Sequence, residues 1–190
     1  ELNSVYPHKL AHLINETKCK IVHFSSDCVF NGLNGGYSEE DISDARDLYG
    51  KSKFLGEIID KKNITLRTSI IGHELLSNAS LVDWFLSQED EIGGYENGIF
   101  SGFPCAYFSK ILVDNIFPNP HLYGLYHVAS DPISKYDLLH GVSIIYKKKR
   151  AEILMKSVIG SLIALVFLIL FFFLTKINIY EFFQQYIIYA

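Results

Sequence analysis

Tyr49 and Lys53 stand four residues apart in Tyr49-Gly-Lys-Ser-Lys53, a spacing that puts both side chains on one face of a helix close to its start. A free phenol titrates near pH ~10 and is a poor proton donor or acceptor at neutrality, but a neighbouring ammonium favours the phenolate and brings proton transfer within reach. Such a pair suits protonation of a carbonyl oxygen whose carbon is receiving hydride. Ser25-Ser26-Asp27 closes the β-rich run that begins at Lys20. Ligands of open α/β sheets bind beyond the carboxyl ends of the strands, so a Ser26 hydroxyl there can hydrogen-bond the same oxygen as Tyr49. Tyr-x-x-x-Lys alone is common on surface helices. Joined to a strand-end serine by an exposed loop, it becomes a candidate site.

The elements that must hold these residues follow from periodicity. Val5, Leu10, Leu13 and Ile14 recur at helical spacing, and Lys20 to Ser25 reads as a short buried strand. Asn31 to Gly36 is a glycine-rich loop, an acidic stretch runs from Glu39 to Asp47, and a helix is expected from Leu48 to Asp60. A strand is expected at Ile64–Ile71, helices at Leu81–Gln88 and Ala106–Ile116, a strand at Gly124–Ala129 and a helix from Ser134 to Tyr146. Alternation of this kind predicts an α/β class with a mainly parallel sheet.

Composition divides the 190 residues in two. Up to Tyr146 there are 11 Lys and Arg against 19 Asp and Glu, whereas from Lys147 onward there are 6 basic and 2 acidic residues. The acidic part excludes nonspecific nucleic-acid binding, which needs clustered cations to track phosphates. Ser157 to Thr175 carries no charge, and as a helix it would span about 28 Å, near the thickness of a bilayer core. The expectation is a transmembrane helix at 157–175, preceded by a basic juxtamembrane linker at 147–156 and followed by a short tail at 176–190. The basic cluster Lys147 to Arg150 would leave residues 1–146 in the cytoplasm, and no apolar run near Glu1 reads as a signal peptide. Cys19, Cys28 and Cys105 fit neither a disulfide framework nor a zinc site and read as buried thiols. His8 and His12 have metal-ligand spacing without a third ligand and read as a solvated helix face.

Longer stretches carry a resemblance. His23-Phe-Ser-Ser-Asp-Cys-Val-Phe-Asn-Gly32, Tyr37-Ser-Glu-Glu-Asp41 and Tyr49-Gly-Lys-Ser-Lys-Phe-Leu-Gly-Glu57 resemble the extended short-chain dehydrogenases/reductases, most nearly the dTDP-4-dehydrorhamnose reductase family. Leu66-Arg-Thr-Ser-Ile-Ile-Gly72, Gly124-Leu-Tyr-His-Val-Ala-Ser130 and Ser134-Lys-Tyr-Asp-Leu-Leu139 extend the likeness over residues 1–146. The resemblance implies a partial Rossmann-like fold with part of a sugar-nucleotide-binding domain. It also implies NADPH or NADH as cofactor and a nucleotide sugar bearing a 4-keto group as substrate. Tyr49 would protonate the keto oxygen, Lys53 would lower the phenol pKa and hold the nicotinamide ribose, and Ser26 would polarise the same oxygen. Asp27, Val29 and Phe30 match positions on the substrate side. Trp84 reads either as a stacking surface for sugar or base or as a core residue of Leu81–Leu86, and Arg67 either as a phosphate ligand or as a structural cation.

The family's glycine-rich turn G-x-x-G-x-x-G, which admits a pyrophosphate to a helix N-terminus, is absent from the sequence. The chain therefore reads as a reductase domain without its first Rossmann half, either a fragment of a disrupted reading frame or a membrane-tethered half-reductase. A tethered, non-catalytic nucleotide-sugar-binding or scaffold domain is the alternative from another class, and an epimerase of the same superfamily is a third. Oligomeric state is not legible.

Overall fold

The computed structural model describes residues 1–76, 79–89, 91–148 and the backbone of 153–156. Its contacts separate two units, 1–87 with 100–133, and 88–99 with 134 onward.

The first unit is built on a parallel three-stranded sheet. Helix α1 (Val5–Leu13) precedes strand β1 (Val22–Phe24), a 3-10 turn at Asp27–Val29 and helix α2 (Leu48–Phe54). Strand β2 (Ile64–Thr68) then lies between β1 and β7 (Gly124–Val128), so that Ile64 faces Val22 on one side and Gly124 on the other. All five β2 residues are buried, as a central strand covered on both faces must be. Ile64 and Leu66 form the core with Phe108, against which Val22, Phe103, Leu112, Tyr126 and Val128 pack. Phe108 belongs to helix α4 (Cys105–Ile111), which continues into wider π-type turns at Leu112–Ile116. Helix α3 (Leu81–Ser87) buries Val82 and Phe85. The two-residue strands β3 (Ile70–Ile71) and β6 (Phe103–Pro104) add a parallel pair.

In the second unit, β4 (Ile92–Tyr95) pairs in parallel with Ile153–Lys156, and helix α5 (Lys135–Ile145) packs on both. Ser134 caps α5 by accepting a hydrogen bond from the Asp137 amide at 3.0 Å.

The expected alternation and parallel pairing are present, but four expectations need correction. No helix among the described residues is long and apolar enough to cross a membrane. The longest, α5, has 11 residues and reaches about 16 Å where a bilayer core asks for about 30 Å. Residues 157–175 lie outside the described residues, and Ile153–Lys156, read as linker, is a β-strand. The α2 helix ends at Phe54 rather than near Asp60. The chain must turn there because Gly56 lies so close to the Asn3 carbonyl that a Cβ would come within 1.8 Å of it, and Ile58 then exchanges hydrogen bonds with the Thr65 hydroxyl. All three cysteines are free and exposed instead of buried.

Candidate active site

The site is assembled at the carboxyl end of β1. The Ser26 backbone is extended, and its hydroxyl accepts from the Cys28 amide at 3.1 Å while donating to Asp27 Oδ1 at 3.1 Å, so that it caps the 3-10 turn. Ser26 is buried and Asp27 is exposed beside it. Asp47 starts α2 by accepting from the Gly50 amide at 2.8 Å, a bond that holds its carboxyl below the usual carboxylate range. Gly50 lets the helix close on the turn, since a Cβ there would fall 2.1 Å from the Cys28 carbonyl oxygen.

That approach brings Lys53 to the strand end. The Lys53 ammonium donates to the Phe24 carbonyl at 2.5 Å, immediately before Ser25-Ser26. Partial burial lowers the Lys53 pKa and the Glu57 carboxylate opposes the fall. Its recorded hydrogen bond goes to this backbone carbonyl and leaves two ammonium protons for other partners. Tyr49, one turn earlier in α2, keeps 52% of its surface exposed. Ser26, Tyr49 and Lys53 therefore lie on two elements packed directly against each other.

The other predicted residues divide. Val29 is fully buried and receives the loop that follows, accepting from the Asp44 and Ala45 amides and the Ser43 hydroxyl. Phe30 is nearly buried, with Tyr37 stacked on it at 4.2 Å and the Arg67 guanidinium over its ring at 5.0 Å. Trp84 is 39% exposed while its neighbours Val82 and Phe85 carry the burial of α3, so the core reading of Trp84 does not hold.

Glu57 was not singled out from the sequence; it lies three residues past the end of α2. Its carboxylate forms a two-bond ion pair with Arg67, 2.8 Å at each contact, and Glu57 Oε1 also accepts from the Ser25 hydroxyl at 2.7 Å. Both charged side chains are almost wholly buried. Arg67 Nη1 lies 3.3 Å from His127 Nε2, so the guanidinium is committed inside the unit rather than free for a phosphate. His127 in turn ties down the acidic loop: its amide donates to Glu39 Oε1 at 2.6 Å, and this bond holds the Glu39 pKa down. An open groove of about 730 Å³ beside α1, with Val5, His8, His12, Leu13 and Leu55 in its walls, includes none of Ser26, Tyr49 and Lys53.

Residues 1–88 match the RmlD substrate binding domain. A dTDP-4-dehydrorhamnose reductase of Aggregatibacter actinomycetemcomitans is 34% identical over 131 residues, which cover 62% of this chain and 44% of that protein. Over these residues the chain is similar to the dTDP-4-dehydrorhamnose reductases. Among solved structures, a reductase of that name from Bacillus anthracis, in complex with NADP, superposes with a TM-score of 0.68 at 24% identity, covering 82% of this chain and 57% of the other. A hypothetical dTDP-4-dehydrorhamnose reductase from Sulfolobus tokodaii gives 0.67 at 24% identity, over 82% and 55%. These two likenesses concern the fold, and the chain spans about half the length of the reductases it matches.

Proposed function

We propose that the chain carries the proton-transfer part of a reductase site that acts on a 4-keto nucleotide sugar. The observation behind this reading is the Lys53–Phe24 hydrogen bond, which fixes the Tyr49–Lys53 face to the strand end that leads into Ser26. In that geometry Tyr49 gives its phenolic proton to the keto oxygen while the carbonyl carbon gains hydride, so the C=O bond becomes a C–H and an O–H. The Ser26 hydroxyl, which caps its own turn through Asp27 and Cys28, swings its proton from Asp27 to the same oxygen. Asp27 and Phe30 border the substrate with Val29 behind them, and Trp84 offers a face on which a sugar or base stacks.

A dihydronicotinamide cofactor, NADPH or NADH, supplies the hydride when bound, as the NADP held by the Bacillus anthracis relative suggests. The residues present suit only one end of it. The Lys53 ammonium, with protons left after its bond to Phe24, would hold a ribose hydroxyl, while no glycine-rich pyrophosphate turn stands in the sequence.

The test is reduction of dTDP-4-dehydrorhamnose by NADPH, followed at 340 nm with the full chain and with Tyr49→Phe. Turnover that falls by about 10²–10⁴-fold in the variant, with dTDP affinity within twofold, is the expected result. Unchanged turnover in Tyr49→Phe overturns the assignment. Binding of dTDP without any turnover favours the non-catalytic binding module instead.

A further inference from the structure

We propose that Glu57, acting through Ser25 and Arg67, is a positioning residue that sets the offset between the Ser26 turn and the helix bearing Tyr49 and Lys53. The inference rests on reading those three residues as the reacting groups. Its ground is a double tie between α2 with its exit and one strand end: Lys53 donates to the Phe24 carbonyl at 2.5 Å, and Glu57, just past the turn that ends α2, accepts from the Ser25 hydroxyl at 2.7 Å. The last residue of β1 and the residue after it are thus held by the last turn of α2 and by the segment that leaves it, and Ser26 is the next residue along. Pairing with β2 and the hydrogen bond from the Ser25 amide to the Leu66 carbonyl at 2.8 Å hold the strand end to the sheet, and the two side-chain bonds tie that strand end to α2 and its exit.

The burial of the grip argues in the same direction. Taking a carboxylate and a guanidinium out of water costs several kcal/mol per ion, and well-packed apolar residues in their place are often neutral or stabilising. Glu57 and Arg67 are nevertheless enclosed, with side-chain exposures of 1% and 4%. Their contacts all run to the site's supports: Ser25 after β1, Phe30 after the turn and His127 on β7. Arg67 carries the grip across the sheet and seats the Phe30 ring between itself and Tyr37.

The experiment compares the full chain with Glu57→Leu/Arg67→Met, which removes both charges together, and with Ser25→Ala, which removes only the tie. Amide exchange by mass spectrometry, thermal melting, and kcat and KM for NADPH-driven reduction of dTDP-4-dehydrorhamnose are measured on each. A positioning role predicts exchange about tenfold faster confined to residues 25–30 and 48–54. It further predicts kcat lowered about 10- to 100-fold with KM within twofold. Wild-type exchange in those segments overturns the proposal, as does faster exchange spread evenly over β1, β2 and β7 with an equal fall in melting temperature, the mark of a merely structural pair. If the double variant does not fold, Ser25→Ala decides by the same criteria. If the unmodified chain turns over no substrate, the reduction reading fails separately and the local exchange result alone decides the grip.

Discussion

Individual side chains show how local bonding sets charge at the ends of elements. Asp83 in the first turn of α3 accepts from the Glu74 amide at 2.7 Å, from His73 Nδ1 at 2.5 Å and from the Ser80 hydroxyl at 2.8 Å. Three donors aimed at one carboxylate lower its pKa from the ordinary 3.8 to about 2. A depressed acid stabilises the fold above its unfolded pKa, and that contribution disappears as pH falls through the folded value. The start of α3 should therefore hold at pH 4 and loosen between about pH 4 and 2. Carbon-detected NMR of the Asp83 carboxyl checks this, with a midpoint near 2 expected and one near 3.8 counting against the cluster. His23 on β1 shifts in the same direction for a different reason. Burial, then the nearby Lys53 ammonium, lowers its pKa, and its Nε2 is enclosed without a hydrogen-bond partner. Below its ordinary value of about 6.5 the unfolded chain binds the proton more readily than the folded one, so stability declines as pH drops through that range. Denaturant midpoints at pH 7 and pH 5.5 should differ, and His23→Gln should narrow the difference.

At the level of elements, the close approach of α2 to the 3-10 turn is the contact that the candidate site depends on. Gly50→Ala places a methyl group against the Cys28 carbonyl and the Ala45 side chain, where backbone cannot yield cheaply. The helix must shift, carrying Tyr49 and Lys53 with it; the expected result is at least tenfold lower reduction activity than the parent chain, measured in the same 340 nm assay. The sheet answers to a different substitution. Leu66 is fully buried at the middle of β2 with Ile64 and Phe108 around it, so Leu66→Ala should cost about 2–5 kcal/mol in urea unfolding. Which elements form is largely written in local pattern: the apolar run of β2, the alternation of strand and helix, and the tyrosine–lysine spacing can all be read directly. The pairing of Ile92–Tyr95 with Ile153–Lys156 cannot, because two glycines weaken the β signal in one partner and the other lies some sixty residues away. The Glu57–Arg67 pair was hidden for a related reason. Its members belong to a helix exit and a following strand, and only the fold brings a buried carboxylate to a buried guanidinium.

For the whole molecule, the two halves of the cofactor requirement separate. In the proposed reading Lys53 and Tyr49 would serve the ribose and the reacting oxygen, whereas the sequence holds no glycine-rich turn for the pyrophosphate. Charge-assisted contacts to phosphate supply much of the affinity for such ligands, so this chain should bind NADPH more weakly than micromolar in a fluorescence titration, and a micromolar or tighter Kd would refute this. The candidate site is legible to the extent that it is local: Tyr49 and Lys53 share a four-residue spacing, and Ser26 begins the turn against which their helix packs. Trp84, open to either reading in the sequence, resolves as a partly exposed ring because Val82 and Phe85 occupy the buried side of α3.

The placement of β2 between β1 and β7 also governs when this polypeptide can fold. Ile64 pairs forward with Gly124 and backward with Val22, and neither partner is close in sequence. Such distant pairings require large loops to close before any contact rewards them, which makes assembly slow. On the ribosome, the stretch through Ile64–Thr68 would emerge and wait, its apolar residues uncovered, until Gly124–Val128 had been synthesised and cleared the exit tunnel. The nascent chain is thus most exposed to chaperones and to aggregation in the interval between those two strands.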